Sequence, residues 1–144
     1  MTLSNTVLLA LALAALCAAA RAQSFGPRLY ETTIETGMPH LEENLRYATT
    51  HTRQCLGKQQ LAQAFPILRH EALKGCRLDY EHDEGSAVSY VLRCASGSET
   101  SGRAHWRFED AAIHGTFDVK LGGKNMTFYQ RVTGKVVGTC IPPD

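Results

Sequence analysis

The chain has 144 residues, 44% of them hydrophobic and 20% charged, which suits one globular domain and not two. Lys and Arg number 15 against 14 Asp and Glu, a net charge of +1. That balance argues against nucleic acid as the main partner, since phosphate binding draws on a cation surplus, and it leaves no basic tail for a membrane surface.

The first segment reads as targeting. Val7 to Leu16 is the apolar run VLLALALAAL, too short to span a bilayer comfortably. Ala20-Arg21-Ala22 before Gln23 fits the A-x-A pattern of a signal peptidase site. We expect residues 1–22 to be a cleaved signal peptide and 23–144 to be a single β-rich domain, periplasmic or secreted, with no membrane span after cleavage. Cys17 offers a rival, lipidation, but the bulky Leu16 precedes it where a small residue is normal.

Leu29 to Thr36 reads as a first strand, rich in Thr and Ile and ended by Gly37-Met38-Pro39. Leu45 to Gln54 is a second, threonine-rich strand with weak contrast between its faces. Leu61, Ala64, Phe65 and Leu68 recur at helical spacing, and Pro66 interrupts them, so a short irregular helix is expected over about 58–64. Arg77 to His82 and Val88 to Cys94 flank the turn Asp83-Glu84-Gly85-Ser86. Their hairpin register sets Tyr80 opposite Tyr90, Leu78 opposite Leu92 and His82 opposite Val88.

Ala104, Trp106 and Phe108 alternate with Arg103, His105, Arg107 and Glu109, the mark of a half-buried strand. Ile113, Gly115, Phe117, Val119 and Leu121 repeat the pattern. Gly122-Gly123 supplies a two-residue turn closing on Leu121 and Lys124, which pairs Val119 with Met126, Phe117 with Phe128 and Ile113 with Val132. Lys135 to Thr139 is a last short strand. The expected fold is mainly β: an antiparallel meander curled into a half-barrel or lipocalin-like barrel, with one short helix across an open end or face.

Four cysteines remain after cleavage: Cys55, Cys76, Cys94 and Cys140. An even number in an exported chain reads as two disulfides. The preferred connectivity joins Cys55 to Cys76 and Cys94 to Cys140, each bridge stapling a segment without its own ladder. The hairpin register keeps a Cys76–Cys94 bridge as the rival. The spacing lacks the C-x-x-C of a zinc site, so no metal is expected here.

Several features together resemble a known family. They are Gly26-Pro27-Arg28-Leu29-Tyr30-Glu31, then Gln54-Cys55-Leu56, Cys76 before a strand, Tyr90 with Cys94, and the closing Gly138-Thr139-Cys140. In these the chain is similar to the small exported bacterial proteins of the domain of unknown function thirty-six seventeen family. The resemblance implies a periplasmic or secreted β-rich domain with two disulfides. It implies no reaction and no catalytic residues.

Candidate sites follow from the faces of the strands. Tyr80, Tyr90, Trp106, Phe108, Phe117 and Phe128 fall on the inward face, either as close-packed core or as the wall of a cavity for a small apolar molecule. His105 and His114 fall on the outward face as diagonal neighbours, with Asp118 or Glu109 as a possible third ligand. Arg103 and Arg107 oppose a metal there, and an Arg103–Asp118 ion pair is the expected alternative. Arg28, Arg46, Arg53, Arg93 and Arg107 with Tyr47 and Tyr129 suggest either an anionic ligand or a solvated charged surface. Asn125-Met126-Thr127 is a glycosylation sequon, with meaning only in a eukaryotic secretory host.

No phosphate loop, nucleophile elbow or H-E-x-x-H is found, and the serines near turns sit where serine is usual. The expected function is an exported envelope accessory or binding protein, not an enzyme and without cofactor. It would hold a small apolar molecule or an envelope protein. The other reading is an interaction module with a solid core and an exposed strand edge.

Overall fold

The computed structural model describes residues 26–38, 47–122 and 126–140. Residues 1–22, expected to be a signal peptide, Leu45, Arg46, Gly123, Lys124 and the sequon residue Asn125 lie outside them. The described residues form seven strands: β1 Arg28–Gly37, β2 Tyr47–Leu56, β3 Arg77–Asp83, β4 Ala87–Arg93, β5 Ser101–Phe108, β6 Ala112–Leu121 and β7 Met126–Thr139. All join one antiparallel sheet in the order β2-β1-β7-β6-β5-β4-β3. No helix among the described residues is long and apolar enough to cross a membrane.

The mainly β, antiparallel expectation holds, but the curled half-barrel or barrel does not. The sheet is neither closed nor strongly curled, and β2 and β3 are its two edges. The reason lies in the β2–β3 connection, which must pass from one edge to the other. It crosses one face and buries Leu61, Phe65, Ile67 and Leu73 against it. A face covered by its own connection needs no opposite wall to shield it from water.

That connection is not the short helix expected over 58–64. It is three 3-10 turns, Lys58–Gln63, Pro66–Arg69 and Glu71–Leu73. Pro66 has no N–H to extend a first turn, and it holds Phe65 in the extended region at φ −93°, ψ 107°. The bonds span three residues instead of four: Ala64 N–H to Leu61 O at 3.2 Å, Leu68 N–H to Phe65 O at 3.1 Å, His70 N–H to Ile67 O at 2.9 Å. The first turn is capped by Gln60, whose Oε1 accepts from the Gly57 N–H at 2.9 Å.

The aromatic centre forms where connection and sheet meet. Phe65 packs on Trp106, ring centroids 4.9 Å apart, and on Phe117 at 5.2 Å. The Trp106 indole N–H donates to Leu61 O at 3.2 Å. Gln130, buried opposite Phe117, accepts from the Ile67 N–H at 3.2 Å and donates to Thr36 Oγ1 at 2.8 Å. Among the described residues no buried side-chain nitrogen or oxygen lacks a partner.

Two registers depart from expectation. In the β6–β7 hairpin Leu121 faces Met126, Val119 faces Phe128, Phe117 faces Gln130 and Ile113 faces Gly134, two residues along from the expected pairing. Bulk explains the shift. Trp106 lies over Gly115, where an added Cβ would come within 2.6 Å of its ring, and Ile113 lies over Gly134, with the same clearance. Large side chains take glycine partners, and a shift of two keeps the faces unchanged. In β3–β4, Tyr80 faces Tyr90 and Leu78 faces Leu92 as expected. A bulge after Tyr80 then places His82 opposite Ser89 and Asp83 opposite Val88.

The disulfides are Cys55–Cys140 and Cys76–Cys94, not the preferred Cys55–Cys76 with Cys94–Cys140. Cys76 and Cys94 sit at the open end of the β3–β4 hairpin, in line with the Leu78–Leu92 register. Cys55 faces Leu29 on β1, whose other neighbour is Gly138, so Cys140 comes within reach over the start of β1, Cα to Cα 5.7 Å.

Candidate functional site

The six inward aromatic candidates do not converge on one chamber. Trp106 and Phe117 are fully buried and meet through Phe65. Tyr90 and Phe128 are buried, and Phe108 is half-buried at the margin of the core. Tyr80 is a correction: it is 62% exposed. It lies on an edge strand, so its ring has a neighbouring strand on one side only, and it meets Tyr90 edge-on at 6.3 Å. Burial pushes the Tyr90 phenol up, helped by the Asp83 carboxylate and Tyr80, and burial likewise raises that of Tyr30.

The sequence reading missed the polar members of this face. Thr32 is fully buried, accepting from Gln54 Nε2 at 3.1 Å and donating to Thr52 O at 3.1 Å. Gln130 joins the connection to the sheet, as above. Their signal was available in the alternation Phe128, Gln130, Val132, which places Gln130 on the apolar face.

On the outward face the two histidines turn to separate partners. His105 Nδ1 is 3.2 Å from Ser89 Oγ, and His114 Nε2 is 3.5 Å from Glu109 Oε1. Among the described residues no group of three His, Cys, Asp or Glu side chains is placed to hold a metal ion. Arg103 and Asp118 face each other in the ladder, but their expected ion pair does not form. Arg103 takes Glu81 at 3.2 Å, and Asp118 takes Arg131 at 2.9 Å.

The cationic candidates are mostly spent on neighbours. Arg28 donates to Asp110 O at 2.8 Å, Arg53 lies 3.7 Å from Glu31, and Arg107 lies 3.8 Å from Glu109. Arg131 stacks on the Tyr129 ring at 4.6 Å. Arg93 differs. It opens onto a basin of about 770 Å³ on the sheet with Ser101, Arg103, Asp118 and Lys120, and no carboxylate pairs with it among the described residues.

The two edges of the sheet are unlike. β3 is seven residues long, carries a bulge, and bears Arg77, Asp79, Glu81 and Asp83. β2 is ten residues long, pairs with β1 in unbroken register from Tyr47 to Leu56, and bears one formal charge, Arg53. Residues 49–53 are exposed on both of its faces. Bulges, short length and charge protect an edge from pairing, and β2 has little of these protections.

The chain matches none of the curated proteins or solved structures with which it was compared. One family model does match, described as "Protein of unknown function (DUF3617)", over residues 25–140. That span covers most of the chain and takes in all seven strands and both disulfides. The chain belongs to the DUF3617 family.

Proposed function

We propose that this chain is an exported accessory protein of the cell envelope, periplasmic or secreted, that acts as a non-catalytic interaction module through the free edge of β2. The contrast between the edges carries the reading: β3 is short, bulged and charged, whereas β2 is long, continuous and threonine-rich. Such an edge offers main-chain donors and acceptors to an extended partner strand. The filling of the inner face by Leu61, Phe65 and Trp106 supports contact at the edge over a ligand held inside.

Photo-crosslinking in the exporting host tests it. A crosslinker at Thr50 should give a discrete adduct that Thr52→Lys abolishes, while the same group at Glu81 on β3 gives none. Equal adducts from both edges, or none from Thr50, would overturn the reading.

The small apolar ligand keeps one observation in its favour. A groove of about 480 Å³ lies between the 3-10 turns and β3, with Ala62, Leu68 and Leu78 in its lining and Arg69 and Arg77 beside them. Native mass spectrometry of protein purified from its exporting host would show a bound apolar species if this groove is the working site.

A further inference from the structure

We propose that the outward basin floored by β4, β5 and β6 binds a phosphate monoester carried on a polar, hydroxyl-rich molecule such as a sugar. The inference is independent of the β2 edge, which lies at the other side of the sheet.

The argument begins with charge. Outward arginines elsewhere on the strands have acidic partners: Arg53 with Glu31, Arg77 with Asp79, Arg107 with Glu109, Arg131 with Asp118. Within the basin, Arg103 is taken by Glu81, and Asp118, its one carboxylate, is taken by Arg131. Arg93 and Lys120 also line it and have no carboxylate partner among the described residues. The local surplus is two positive charges, which a dianionic monoester matches.

Register brings the two cations together. Ser101 faces Lys120 across β5 and β6. The β4–β5 ladder ends with Val91 facing Arg103, and the same register carried two residues on sets Arg93 level with Ser101, both of which line the basin. Arg93 and Lys120 thus flank Ser101 from strands roughly 10 Å apart, two strand spacings. Both side chains are long enough to meet over the serine hydroxyl. The guanidinium fork suits two oxygens of one phosphate, and the ammonium adds a mobile point charge.

The rim supplies hydroxyl donors, and the one carboxylate in the lining, Asp118, is held by Arg131. Ser98 Oγ accepts from the Thr100 N–H at 3.2 Å, and Thr100 Oγ1 accepts from the Gly122 N–H at 3.1 Å. Each hydroxyl therefore has its own proton left to donate, the polarity an oxyanion takes. The basin, about 770 Å³, is far larger than a bare phosphate needs, so the phosphate is carried on a larger group, to which Ser98, Thr100 and Ser101 offer hydroxyls beside the apolar Val91 and Val119.

Titration calorimetry at low ionic strength with the full exported chain tests this, using glucose 6-phosphate, glucose, inorganic phosphate and phosphatidic acid vesicles as probes. Glucose 6-phosphate should bind, at least tenfold more tightly than inorganic phosphate, with no heat from glucose. Arg93→Gln and Lys120→Gln should each weaken it tenfold or more. Arg93→Lys, which keeps the charge and loses the fork, should weaken it severalfold. Lys135→Gln, a cation outside the basin, should leave it unchanged. Near-UV circular dichroism checks that each variant keeps its fold. Equal binding of inorganic phosphate, equal loss in Lys135→Gln, or binding to vesicles alone would each overturn the proposal.

Discussion

Gln130 shows how one polar side chain positions a whole segment. It sits among apolar neighbours, opposite Phe117, with its amide satisfied at both ends by the Ile67 N–H and Thr36 Oγ1. Pairing it leaves no buried donor stranded where the connection crosses the sheet, and a stranded donor costs the full desolvation of that group. Gln130→Ala should cost about 1–3 kcal/mol on that basis. Urea unfolding would show it as a lower midpoint with an unchanged slope. A midpoint equal to that of the parent would mean that the connection is held by Leu61, Phe65 and Leu73 alone. Such a residue is hard to assign from sequence, because its role depends on which carbonyls and amides the register brings to it.

At the scale of elements, position was more legible than pairing. The alternation of Ala104 and Trp106 with Arg103, His105 and Arg107 marks β5 unambiguously, and Asp83-Glu84-Gly85-Ser86 marks the β3–β4 turn. The β6–β7 register was not legible, because Gly122-Gly123 satisfies a tight turn whatever the core requires. The core requires Gly115 under Trp106 and Gly134 under Ile113, which is known only once three strands lie side by side. The basin was hidden for the same reason: Arg93, Ser101 and Lys120 come to line one basin only through the alignment of β4, β5 and β6. One tether between elements has a testable pH signature. Lys58 Nζ lies 2.7 Å from Asp83 Oδ2, joining the first 3-10 turn to β3. That hydrogen bond, with a second from the Gly85 N–H, holds the Asp83 carboxyl below its ordinary range. A depressed carboxyl contributes stability above its unfolded pKa and loses it as pH falls through the folded value. Asp83→Asn should therefore be less stable than the parent at neutral pH, and the gap should close as pH drops below about 4. Urea midpoints measured across that range would check it; a gap that stays constant would remove the tether as the cause.

Over the whole molecule, the unresolved choice in the sequence was between a sheet that closes on itself and one that is covered by its own connection. Strand alternation is identical in both cases. The difference lies in 57–76, where Leu61, Ala64, Phe65 and Leu68 recur at helical spacing, but 3-10 turns around Pro66 bury Ile67 and Leu73 with Leu61 and Phe65 and leave Leu68 half-buried. The covered sheet leaves two edges, and the two disulfides act on them unequally. Cys76–Cys94 spans 18 residues and staples a hairpin that its own ladder already holds. Cys55–Cys140 spans 85 residues and fastens the β2 edge to the end of β7 across β1. If unfolded-state entropy dominates, those spans correspond to about 3.2 and about 4.6 kcal/mol. The double variant Cys55→Ser/Cys140→Ser should then be less stable than Cys76→Ser/Cys94→Ser by on the order of 1 kcal/mol. Hydrogen exchange should show β2 losing protection first in the former and the β3–β4 hairpin in the latter. Equal destabilisation would mean that native contacts at the hairpin's open end make up what chain entropy lacks, and that the long bridge serves chiefly to hold the β2 edge in place.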